Sequence, residues 1–141
     1  MADRRGARNV AAMTRLAFAT LLLVATYLIG AVIAALTDVG TLADAAANGT
    51  KLSAPGFLIA LELVAAYLVF RGKIAGAAIL LGTSGLSTAA FAFDGDFAND
   101  ALGAGHVVWQ ALEGALALVV FALAARVLIR TRRRPAVATG A

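Results

Sequence analysis

The chain has 141 residues, of which 62% are hydrophobic and only 14% charged, against roughly 25% charged in soluble domains. Together with a mean hydropathy of +0.89, this points to a protein of the lipid bilayer, with room for one domain rather than two. No Cys and a single His exclude disulfides, thiolate metal sites and Cys nucleophiles, and leave no His cluster for zinc or bis-His haem ligation.

Residues 1–15 form a basic segment with Arg4, Arg5, Arg8 and Arg15. The first apolar run, 16–37, is long enough for the roughly 20 residues that a membrane-crossing helix needs. It exceeds the roughly 7–15 residues of a signal-peptide core, so it reads as a retained span. The loop 38–53 is rich in Ala, Gly, Thr and Asp, and reads as either irregular or carrying a short surface helix around 41–47. Within it, Asn48-Gly49-Thr50 matches the N-glycosylation pattern, which has meaning only on a eukaryotic secretory route.

Pro55 suits the first turn of the second run, 54–70. This run carries Glu62. The link "RGK", 71–73, is tight. The third run, 74–93, is built for close approach: Ala78/Gly82 and Gly85/Ala89 are small pairs at i, i+4. It also holds Thr83, Ser84, Ser87 and Thr88. Ser84, Ser87 and Thr88 share one face, where hydroxyls are expected to bond back to carbonyls one turn earlier and join helices.

The fourth run, 105–129, opens on "HVVWQALEG". His106, Gln110 and Glu113 fall within about 60° of one another on a helix. The same face continues as Ala117, Val120 and Ala124, so the polar stripe ends after two turns. That describes a shallow pocket rather than a continuous polar path. His106 and Trp109 read as residues of the membrane–water interface, Trp109 in an aromatic belt with Phe91, Phe93 and Phe97. Residues 131–141 read as a basic, disordered tail.

Charge sets the orientation. Of the twelve bases, only Lys51 falls in the loops 38–53 and 94–104, so both termini and the 71–73 turn are expected in the cytoplasm. The same placement makes the net charge of +4 a topology signal rather than a nucleic-acid footprint. Asp38, Asp44, Asp94, Asp96 and Asp100 fall in the outward loops, where they favour solubility.

The expected fold is therefore all-α: an integral membrane, antiparallel four-transmembrane-helix bundle with a membrane domain over 16–130 and both termini cytoplasmic. A multi-pass position in the cell membrane follows. Glu62 and Glu113 lie six and eight residues below the outer ends of their runs. These depths, ~9 and ~12 Å, put them nearly level in the outer half. A carboxylate in hydrocarbon is costly and faces a bundle interior or water.

Three roles compete for the pair: packing through hydrogen bonds to Gln110, Ser84, Ser87 or Thr88; sharing a proton or small cation; or a docking face for a partner subunit or ligand. A metal site from Glu62, Glu113 and His106 with Asp94 or Asp100 lacks any recurring ligand spacing. No catalytic triad or phosphate loop is present, so no enzyme activity and no cofactor are expected. The leading expectation is a non-enzymatic accessory subunit or homo-oligomeric bundle, partnered by lipid and by itself or another membrane protein. Its pocket would be lined by Glu62, His106, Gln110 and Glu113. The alternative is a proton- or cation-coupled small transporter or channel using the two carboxylates.

Overall fold

The computed structural model describes residues 2–37, 40–50, 52–93 and 103–132. Asp38, Asp94, Asp96 and Asp100, together with Lys51, Phe97 and the tail from 133 onward, lie outside these residues. Every described element is helical apart from turns and one isolated bridge.

Helix α1 runs Ala2–Leu36, α2 Leu42–Asn48, α3 Gly56–Phe70, α4 Ile74–Phe93 and α5 Gly103–Arg132. The basic N-terminus expected as a separate segment is instead the first part of α1. Its "ADRRGARNVAAMTR" is mostly Ala, Arg and other adequate helix formers, with only Gly6 against it. The helix at the other end likewise continues past the expected 129. Arg130 and Arg132 occupy its last turn, where positive charge complements the exposed carbonyl end of the helix.

Two helical segments, Gly6–Leu36 and Gly105–Arg132, are long and apolar enough to cross a membrane. The apolar segments Gly56–Phe70 and Ile74–Ala90 are shorter. With 15 residues, α3 rises only about 22 Å, less than the ~30 Å of a hydrocarbon layer.

The packing runs from α1 to α3, from α3 to α4, from α4 to α5 and back from α5 to α1. Each helix turns one periodic face inward. On α1 this face is Leu16, Thr20, Leu23, Tyr27, Ala31 and Ala34; on α5 it is Ala117, Val120, Ala124 and Val127. Between α3 and α4 the approach is closest at Gly76. A Cβ there would lie 2.5 Å from the Ala65 carbonyl oxygen.

That contact revises the expected helix-joining pairs. Ala78 and Ala89 are exposed, and a Cβ added at Gly82 would meet nothing within 4 Å. Only Gly85 faces a neighbour, the Phe121 ring of α5. Periodicity places small residues on a face, but not which face turns inward.

The short links are fixed locally. Lys73 N–H bonds the Leu68 carbonyl and Gly72 N–H the Val69 carbonyl, both at 2.8 Å. This closes α3 with the Schellman pattern, and Gly72 takes the left-handed φ of 73° that the pattern requires. The expected surface helix is present as α2, started by a reciprocal capping box between Thr41 and Asp44. After it, Thr50 and Ser53 pair through two backbone hydrogen bonds, which tucks Leu52 into full burial.

The outward faces are apolar all round. Phe18, Leu28 and Val32 on α1, Phe57 and Val64 on α3, Leu86 on α4, and Val108 and Leu118 on α5 are all exposed. The buried set meanwhile includes Thr20, Thr26, Thr83, Ser84 and Glu62. Polar groups inside and large apolar groups outside invert the arrangement of a soluble domain.

Candidate functional site: a polar interior built from four helices

The four longer helices each contribute polar side chains to the same interior region. From α1 comes Tyr27, only 4% exposed. From α3 comes Glu62, fully buried. Ser87 comes from α4, and Glu113 with Trp109 from α5. The Tyr27 phenol stands within electrostatic reach of both Glu62 and Glu113, and its hydroxyl adjoins Ser87.

The hydrogen bonding of this set is incomplete. Trp109 Nε1–H donates to Glu113 Oε1 at 3.0 Å, one turn along α5. Neither oxygen of Glu62 has a hydrogen-bond partner, and neither does the buried Ser87 Oγ. The two carboxyls therefore share no hydrogen bond: Glu113 is held by its own helix, and Glu62 stands alone. Buried polar groups are paired in the great majority of cases, so each exception calls for a physical reason.

Ser87 stands out against the other hydroxyls. Ser84 donates to the Leu80 carbonyl and Thr88 to the Ser84 carbonyl at 2.7 Å. Thr20 and Thr26 do the same on α1, each at 2.9 Å. For these residues the expected back-bonding is what the structure shows. Ser84 and Thr88 thus have their protons committed to their own helix. Ser87, one position from Thr88, makes no such back-bond and instead adjoins the Tyr27 hydroxyl.

Trp109 is not an outward-facing belt residue. Its indole turns toward α1, where a Cβ on Gly30 would lie 2.8 Å from Nε1. The same Cβ would overlap the Leu52 carbonyl oxygen, so the α2–α3 link, α1 and α5 converge at Gly30. Half-buried His106 and Gln110 lie one or two turns nearer the α5 N-terminus, with Glu113 half-buried below them. Beneath Glu113 the face continues into buried Ala117, Val120 and Ala124, so the polar stripe does face the interior.

Sequence reasoning missed Tyr27 and Gly30. A lone phenol midway along an otherwise apolar run was the available signal for the first. Nothing in the sequence distinguishes Gly30 from the other glycines.

Outside this region, the Asp44 carboxyl is held below its ordinary range by the Thr41 hydroxyl and then by the Thr41 backbone N–H. Among the described residues no three His, Asp or Glu side chains gather into a metal-ligand set. Comparison with protein-family models, with curated proteins and with solved structures finds no match.

Proposed function

We propose that this chain is a small, non-enzymatic integral membrane protein of four spans, and that Glu62 is its site of proton or small-cation exchange. One observation carries the reading: a fully buried carboxyl with neither oxygen hydrogen-bonded, inside a bundle that also buries the Tyr27 phenol. A carboxylate charge there requires a counter-charge, which a proton or a small cation supplies. The Tyr27 hydroxyl, which can both donate and accept, could bond either form if the Glu62 side chain turned toward it. Glu113, oriented by Trp109, is the second acid along the same interior.

The short α3 fits a span if the bilayer thins locally or if Leu52 and Ala54 extend its apolar length. Eleven of the twelve bases then lie on the cytoplasmic side.

The test is proton flux in liposomes containing the purified chain and an internal pH dye. Wild-type protein should acidify the lumen faster than empty liposomes do. Glu62→Gln should remove that excess while leaving the helical circular dichroism unchanged. Wild-type flux equal to that of empty liposomes overturns the reading.

A second reading, association as a homo-oligomer or with a membrane partner, is favoured by the outward small face of α4. Ala78, Gly82 and Ala89 are exposed there, and small residues on a lipid-facing helix permit close helix approach. Gly82→Ile should then shift the oligomeric mass measured by light scattering in mild detergent. A monomeric wild type that co-purifies with no other protein removes this reading.

A further inference from the structure

At the end of the molecule opposite Trp109, the start of α1 and the end of α5 enclose a cavity of about 270 Å³. Arg8, Arg15, Arg126 and Arg130 line it, over a floor that includes Ala12 and Val127. Among the described residues no acid contributes to its lining. Helical geometry explains the convergence. Arg8 and Arg15 are seven residues apart and Arg126 and Arg130 four apart, so each pair shares one face of its helix. The helices run antiparallel, which brings the two faces together.

Four guanidiniums around one hollow repel one another unless anions sit between them. Guanidinium offers a planar fork of donors that matches phosphate oxygens two at a time. The volume exceeds what one phosphate fills, being roughly that of nine waters at ~30 Å³ each. Along α1, the wall just beyond the arginines is apolar and outward-facing, with Phe18 68% exposed and Leu22 47% exposed. The combination is a charged head-group seat continued by a surface for acyl chains. Basic pockets between helices at the cytoplasmic level are suited to anionic lipid heads.

We propose that this arginine cleft is a binding site for the phosphate-bearing head group of an anionic phospholipid. Phosphate is the chemistry recognised, and the adjoining apolar wall makes lipid its source. The proposal shares with the preceding section only the placement of the helices in a bilayer. It is independent of Glu62.

The test uses the full-length protein in nanodiscs of phosphatidylcholine doped with cardiolipin, with retained lipid counted by native mass spectrometry. Wild type should retain cardiolipin over phosphatidylcholine. Arg126→Gln/Arg130→Gln and Arg8→Gln/Arg15→Gln should each weaken retention about thirtyfold, since each base near an anionic surface contributes on the order of fivefold. Arg71→Gln/Lys73→Gln removes the same charge outside the cleft and should change retention less than about threefold, having lost only screened long-range attraction.

Equal losses in all three double variants overturn the proposal in favour of diffuse surface charge. Absence of any preference over phosphatidylcholine overturns it as well. Displacement of cardiolipin by millimolar inorganic phosphate reassigns the cleft to a soluble anion and overturns the lipid source. Glu62→Gln should retain cardiolipin as wild type does, so loss of proton flux and loss of lipid binding are separable outcomes.

Discussion

Gly30 is the residue on which three segments close. Any side chain there drives into the Leu52 carbonyl, and backbone cannot step aside as a flexible side chain can. Gly30→Ala should therefore destabilise the fold by about 1–3 kcal/mol, the usual cost of overpacking a filled interior. Thermal unfolding in detergent measures this, and an unchanged midpoint would mean that Leu52 does not sit against α1. Trp109→Phe withdraws the donor from Glu113 and also removes one ring of the indole. The expected loss is about 1 kcal/mol for the hydrogen bond, with a further packing loss for the missing ring. Intrinsic tryptophan fluorescence reports the same contact from the other side. Trp109 is the only Trp, so Glu113→Gln should shift its emission and Arg71→Gln should not.

At the scale of elements, α2 is the most local structure in the chain and the most dependent on a single contact. Thr41 and Asp44 satisfy each other's backbone and side-chain groups across its first turn. Thr41→Ala should cost about 1 kcal/mol of helix stability. The carboxyl of Asp44 titrates below its ordinary 3.8 in the folded chain. Its contribution is thus complete above that value and disappears as pH falls below it. Amide protection in α2 should drop in acid while α1 is unaffected, and Asp44→Asn should lose this pH dependence.

This helix was readable beforehand because its signals lie within seven residues. The positions of the long helices were readable because apolar length alone marks them. The register between helices was not. A helix apolar on every side carries no moment that fixes which face turns inward, so Ala78 and Gly82 looked as suited to packing as Gly76. The same uncertainty hid the approach of Tyr27 to Ser87. The α5 stripe of His106, Gln110 and Glu113, read as a shallow pocket, is half-buried and continues into buried Ala117.

For the whole molecule, the decisive feature is an apolar exterior around a core that, though mostly apolar, holds several polar groups. Large apolar side chains cover the outside of α1, α3, α4 and α5, while a carboxyl, a phenol and several hydroxyls lie within. In water this surface would aggregate; in lipid it is the expected exterior. In a four-span arrangement α3 and α4 also cross the bilayer, although among the described residues only α1 and α5 contain segments that are long and apolar enough by themselves. The native chain has no Cys, so single-cysteine variants report sidedness without background. In intact cells, Ala47→Cys should react with an impermeant maleimide, whereas Lys73→Cys and Thr131→Cys should react only after permeabilisation. Labelling of Lys73→Cys from the same side as Ala47→Cys would show that α3 does not cross, and would contradict the four-span account.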